Sequence, residues 1–477
     1  MLNVNPHWRI VTRSDYTPFA AGEHGRRLRV VIDDDAISES FPLDVLRSFA
    51  ERPSVEIVGT NSSPDRRVLI KPTDDHGHIP IDYILPNGGG FHGAVPEGRE
   101  WRKLAQETEK INAIPRDEAF RAFVLAHFCS HYDVDALVTE TPLLQLPKWK
   151  NLVKSSKAQS ANGAAALLGL HLRAHRDFTV QCADASTFLK EEQYYRGAGI
   201  AAISSYPALF DAAQGFWRTT GDSRPLSLLR AVETRLGQAL RARDYFHIRI
   251  RSFTPTETWD DASFFFEFLL LLLSGALDAS ARFCHRVFGL EGNERRVSWR
   301  SRTWRKALKK RVPELSALAD EGGKAALIAN TIGILRNFIH TEALSNEFHF
   351  SDHEDGKPLT IDFNLGAWAL PSDDGDRLRT FVNRLGDEDK WGIEEGFRGV
   401  VLLLPAHFME RALRTAIAAL GEVVQAAAPM LDSYREEHFD PKFFLPGYSY
   451  MKDLRVLTGL EPLIPQAEDF PGDSNVN

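Results

Sequence analysis

Residues 333–340 read Gly-Ile-Leu-Arg-Asn-Phe-Ile-His, and the reading of this stretch decides how the second half of the chain folds. Ile332, Leu335 and Ile339 recur at three- and four-residue spacing, the period of one helical face. On that helix Arg336 and His340 stand one turn apart, with about 5–6 Å between Cβ atoms. Arg336 presents a planar fork of donors that fits phosphate oxygens and stays charged. His340 can move a proton near neutral pH. Asn337 adds an amide that donates to phosphate or to a ribose 2′-hydroxyl. These residue types in this pattern suit phosphodiester chemistry. The alternative is an arginine and a histidine at a helix end, satisfied by local carboxylates such as Glu342.

Upstream, nine positive charges fall between Arg295 and Arg311 with no acid among them: Arg295, Arg296, Arg300, Arg302, Arg305, Lys306, Lys309, Lys310 and Arg311. Trp299 and Trp304 are interleaved. Neutralised phosphates and bases stacked on aromatic rings are how single strands are held. The segment is therefore read as nucleic-acid-binding, the alternative being a solvated face with both Trp residues in the core. Because the chain carries a formal net charge of −8, such a site has to be a local patch. Further upstream, Phe264–Leu277 reads FFFEFLLLLLSGAL and is bounded by Asp278. Its uncharged run of ten residues, Phe268–Leu277, falls short of the roughly 18 needed to suspect a membrane span, so a buried helix is expected.

An apolar helix ending LSGALDASAR at Arg282, a basic connection and a helix ending LRNFIH together resemble the HEPN superfamily. These are helical domains that include metal-independent ribonucleases. The separation of Arg336 from His340 is one residue shorter than that family's spacing. Over residues 256–435 the resemblance implies a helical bundle that pairs as a homodimer, bringing two Arg–His pairs into one cleft. It implies RNA binding or endoribonuclease activity without a cofactor, in a bacterial defence or stress setting. Arg336 would stabilise charge on a pentacovalent phosphate, and Asn337 would orient that phosphate. His340 would act as general base on a 2′-hydroxyl or protonate the 5′-oxygen leaving group.

The first part of the chain reads differently. Leu28–Ile32 is a strand running into Asp33-Asp34-Asp35, and Pro42–Glu51 has helical spacing. Val55–Val58, Val68–Ile70 and Ile79–Leu85 are further strands, the last inside a loop-rich stretch from Lys71 to Gly98. Helices at 101–111 and 116–131 precede a strand at Asp135–Thr139. This order indicates an α/β layer with a parallel sheet. VVIDDDAI and DVDALVTETPLL resemble the first and last strand motifs of PIN-like nucleases, over residues 28–146. That resemblance implies carboxylates at strand C-termini, here Asp33, Asp35, Asp133 and Asp135, holding Mg²⁺ or Mn²⁺. Glu140, with Glu39 or Asp44, would complete such a set. An Asp run after a strand also serves as a turn or helix-cap signal.

The expected organisation is an α/β domain over 1–195 with a basic N-terminal extension and a helical domain over 200–435 with a small hairpin inserted after the motif helix. An extended Pro-rich tail covers 436–477. Cys129, Cys182 and Cys284 stand far apart, which excludes a disulfide framework or a Cys-rich zinc site and fits a reducing cytoplasm. Met1–Arg13 lacks an apolar core of signal-peptide type. A third functional class, a non-catalytic dimerisation or docking protein, fits the same pattern.

Overall fold

The structure, a computed structural model, describes residues 17–20, 25–60, 67–70, 78–84, 90–96, 116–131, 134–141, 158–182, 185–251, 257–341, 363–364, 372–387, 390–395, 401–435, 439–445 and 448–460. The side chain of His340 and all of Asp133 lie outside this set, as do the expected helix at 101–111, most of the expected hairpin after His340 and the last residues of the tail. The chain divides into two compact units. One contains the described residues up to Asp177 with 456–459, and the other those from Phe178 to Arg455 with Leu460.

The first unit is built on a seven-stranded sheet. Its strands are β1 (Leu28–Ile32), β2 (Val55–Gly59), β3 (Arg67–Ile70), β4 (His78–Ile84), β5 (Gly90–Pro96), β6 (Ala136–Val138) and β7 (Ala158–Gln159). They lie in the order β5-β4-β3-β2-β1-β6-β7. β1 runs parallel to β2 and β6, β2 to β3, and β6 to β7. β4 and β5 are antiparallel, so the sheet is mixed rather than wholly parallel. The central strand LRVVI buries Leu28, Val30, Val31 and Ile32, the near-continuous apolar run of a strand covered on both faces. Among the described residues three helices accompany it: α1 (Phe41–Ser48), α2 (Arg116–His131) and α3 (Ala161–Ala174). Phe123–Ala126, Phe128 and Cys129 of α2 form one core with Val31, Val58, Ile79, Ile81 and Tyr83. Strand β5 falls in the stretch expected to be loop, because Gly, His and Pro dominate it. At a sheet edge those residues are tolerated, and β5 pairs with β4 along its whole length.

Ser160 caps α3 by accepting from Gly163 N at 3.2 Å. The same helix buries His171, whose Nδ1 lies 2.5 Å from the Pro18 carbonyl and Nε2 2.9 Å from that of Ser54. A neutral ring donates through one nitrogen only. Burial pushes the His171 pKa down to about 4, against the pull of the two carbonyls. The native state therefore holds the neutral form, while the unfolded chain takes up a proton near pH 6.5. His171's contribution to stability is present in full above pH 6.5 and is lost as pH falls towards 4. Denaturant unfolding of the full chain should show a falling midpoint across that window, and His171→Gln should flatten the dependence.

The second unit opens with a two-stranded antiparallel hairpin, β8 (Thr179–Cys182) and β9 (Ala185–Phe188). After it come α4 (Glu191–Ala201), α5 (Tyr206–Thr220), α6 (Arg224–Arg251), α7 (Glu257–Val287), α8 (Arg302–Arg311), α9 (Lys324–Thr341), α10 (Ser372–Leu385) and α11 (Pro405–Ala427). α6 and α7 lie antiparallel along each other: Tyr245 stacks on Phe265 with ring centroids 5.2 Å apart, and Arg235 lies over Gly275. α7 buries Phe266, Leu269, Leu270, Leu273, Ala276 and Leu277. By length and composition it is apolar enough to cross a membrane, and half of its most apolar window is buried within the protein. α9 packs on α7, α10 and α11. A small antiparallel sheet joins β10 (Phe363–Asn364), β12 (Val401–Leu403) and β11 (Ile393–Glu395), so Phe363 pairs with Leu403.

The stretch beyond Tyr434 is not extended throughout. Pro441–Phe444 forms a helical turn and Met451–Thr458 a helix, α12. Proline is permitted at the first helical position, and Met451, Leu454 and Leu457 keep a helical period and are buried.

Candidate nucleic-acid interface

α9 places Arg336 one turn before His340, as its periodicity requires. Arg336 is half-buried, and its Nη1 makes a long contact of 3.5 Å with Ser274 Oγ on α7. Asn337 is exposed. One turn earlier, Gly333 is covered by the side chain of Arg300. A Cβ at Gly333 would stand 2.6 Å from Arg300 Cζ, so only glycine leaves room for the guanidinium to lie on this helix. Arg300 is exposed overall, yet burial of its head group holds its pKa below the ordinary guanidinium range. Arg336 and Arg377 push it the same way, and Asp278 opposes them.

Arg300 of the loop before α8 therefore lies against α9 near Arg336, with Arg377 of α10 and Asp278 of α7 within electrostatic reach of it. Among the described residues neither Arg300 nor Arg336 forms an ion pair. Like charges held together raise one another's energy, and an anion placed between them relieves that repulsion. Arg336, Asn337 and Arg300 are legible in the sequence as candidates. Arg377 and Ser274 are not, because nothing local to either residue marks it as a neighbour of the motif.

The basic segment divides in a way that corrects the expectation. Trp299 is fully buried, donates from Nε1 to Ser280 Oγ at 2.9 Å, and meets Trp304 edge-on at 5.1 Å. Trp304 is 6% exposed, so neither ring offers a face to a base. Arg305 is buried too, its Nη1 donating to the Ala319 carbonyl at 3.3 Å. Lys309 pairs with Asp320 at 2.6 Å, and Arg311 donates to the Phe288 carbonyl. Trp304, Leu308 and Val312 recur every fourth residue and are buried, an apolar stripe that the density of charge obscures. Ser301 caps α8, and the opposite face of that helix exposes Arg302, Lys306 and Lys310. Arg295 and Arg296 are exposed just before it.

Among the described residues, the expected carboxylates Asp33 and Asp135 stand at opposite ends of the strands rather than together. Asp33 directly follows β1, which lies between β2 and β6 where the strand order reverses, the usual crevice of an open α/β sheet. It is 1% exposed, and Arg121 of α2 donates to it at 2.6 Å and to Thr60 Oγ1 at 2.9 Å. Arg121 also binds Asp35, and Thr139 Oγ1 lies 3.3 Å from Asp33. Burial raises the Asp33 pKa despite the Arg121 charge. Asp135 stands at the other end of the strands, gripped by both Arg26 Nη atoms at 2.7 and 2.6 Å and by the Arg29 amide at 2.9 Å. Among the described residues no three His, Cys, Asp or Glu side chains come together as a metal-binding set. Removing Arg121 leaves the Asp33 charge buried without its partner. Arg121→Ala should destabilise the protein by about 3 kcal/mol. Unfolding curves should show Arg121→Ala/Asp33→Ala recovering part of that loss; no recovery would mean the pair is not coupled.

Comparison with family models, curated proteins and solved structures finds no match to this chain.

Proposed function

We propose that the helical unit binds RNA by its phosphates and is a metal-independent ribonuclease of HEPN type, with Arg336, Asn337 and His340 acting on the scissile phosphodiester. The observation that carries this reading is the Arg300 guanidinium laid over Gly333, one turn before Arg336, with Arg336 itself in long contact with Ser274 Oγ. Among the described residues, which do not include Glu342, Arg336 has no acid partner, and its neighbours are the Arg300 guanidinium and the Ser274 hydroxyl. The exposed row Arg302, Lys306 and Lys310 extends the positive surface along α8.

In this scheme a ribose 2′-hydroxyl attacks the phosphorus while His340 takes its proton. The negative charge that builds on the equatorial oxygens falls to Arg336, with Asn337 setting their orientation. The 5′-oxygen leaves with a proton, giving a 2′,3′-cyclic phosphate and a 5′-hydroxyl end. Pairing of two copies would supply a second histidine as the acid. For the first unit we infer a PIN-like layer in which the Arg121 guanidinium neutralises Asp33 and Asp35. That supports placing the chemistry on the helical unit.

The test is incubation of the purified protein with single-stranded RNA in EDTA. Cleavage with cyclic-phosphate ends is expected. Cleavage that EDTA and Asp33→Asn each abolish would instead assign the chemistry to Mg²⁺ or Mn²⁺ in the first unit, and RNA binding without turnover would leave only a binding protein.

A further inference from the structure

Between α6 and α7 lies a cavity of about 220 Å³, lined by Arg235 and Arg224 from one helix and by Gly275, Asp278 and Arg282 from the other. It is smaller than the roughly 300–1,000 Å³ of pockets that take drug-sized ligands, and fits a compact charged group with its water. Arg224 at its edge is already held by Glu294 at 2.7 Å. Arg235 lies flat over Gly275, where a Cβ would stand 2.7 Å from its Nε. Arg282 has a buried Nε with no hydrogen-bond partner among the described residues.

Asp278 both lines this cavity and faces Arg300, and Ser274 and Gly275 are neighbours on α7. The cavity therefore adjoins the Arg300–Arg336 cluster across one turn of that helix. We infer that the cavity seats a phosphomonoester, the terminal phosphate of an RNA strand or of a free mononucleotide. A monoester carries about −1.5 to −2 at neutral pH, against −1 for a diester. Arg235 and Arg282 line the cavity and form no ion pair among the described residues, so the two suit the more charged group. The inference deepens the RNA reading but stands on separate residues.

The experiment uses the full chain. Binding of AMP and of inorganic phosphate is measured by calorimetry, together with affinity for one short RNA bearing either a 5′-phosphate or a 5′-hydroxyl. AMP is expected to bind, and the 5′-phosphorylated RNA to bind about tenfold more tightly than its hydroxyl counterpart. Arg282→Gln and Gly275→Ala should each remove AMP binding and that preference while leaving the 5′-hydroxyl RNA unaffected. Gly275→Ala adds a better helix former, so it should keep its thermal transition while displacing Arg235. AMP binding with equal RNA affinities assigns the site to a free nucleotide, and a 5′-phosphate preference assigns it to a strand end. If AMP binds but neither RNA does, the cavity stands and the Arg336 reading fails. Absence of AMP and phosphate binding together with equal RNA affinities would overturn the inference.

Discussion

His340→Ala is expected to lower EDTA-resistant RNA cleavage by about 10²–10⁴-fold while leaving RNA affinity nearly unchanged, because a positioned proton-transfer group contributes on that scale to rate and little to ground-state binding. Arg336→Ala is expected to behave differently. Its guanidinium is held next to Arg300 and against Ser274, in the place where a phosphate would relieve the repulsion. Losing it should weaken binding by about tenfold and cleavage by a further factor of about 10²–10³. Lysine at 336 keeps the charge but not the fork, so it should restore binding more than cleavage. Single-turnover kinetics in EDTA with a labelled RNA separate the two effects. Equal losses in kcat for a control variant on the exposed face of α8, such as Lys306→Ala, would remove the special role of the pair.

Trp299→Ala is expected to cost the protein about 3–5 kcal/mol, enough to unfold much of the helical unit at moderate temperature. Trp299 is fully buried, so its deletion leaves a cavity that its neighbours fill only in part. The change also takes away the hydrogen bond that Ser280 Oγ accepts from the indole, leaving it only its donation to the Leu277 carbonyl at 2.8 Å, and removes the edge-on packing with Trp304. Trp299→Phe should cost less, since it keeps most of the volume and loses only the hydrogen bond and part of the ring. Thermal and denaturant unfolding read both values. The same burial predicts that RNA does not quench these two residues by stacking. A loss below about 1 kcal/mol for Trp299→Ala would mean the indole is not core.

How much of this is legible in the sequence depends on whether a signal is local. The strand LRVVI and the helices α7 and α9 carry their own periodicity, and each forms close to where the pattern places it. The β5 strand carries none, because pairing with β4 at a sheet edge makes few demands on side chains. In the basic segment, residue type points outward while the spacing of Trp304, Leu308 and Val312 points inward, and packing follows spacing. The Asp run after β1 is visible, but Arg121 is 88 residues away from Asp33 along the chain, and nothing local marks it as the partner. Arg300 is one charge among many in its segment. Its distinction comes from Gly333, whose missing side chain lets the guanidinium settle against the motif helix.

The measurement that bears most directly on the guanidinium cluster is the salt dependence of RNA affinity, for the protein and for Arg300→Gln/Arg336→Gln. With two phosphates no longer neutralised, the slope of log affinity against log salt should become shallower by about 1.4, roughly 0.7 per phosphate on a single strand. Identical affinity and slope for the two proteins would show that no phosphate is held between these arginines.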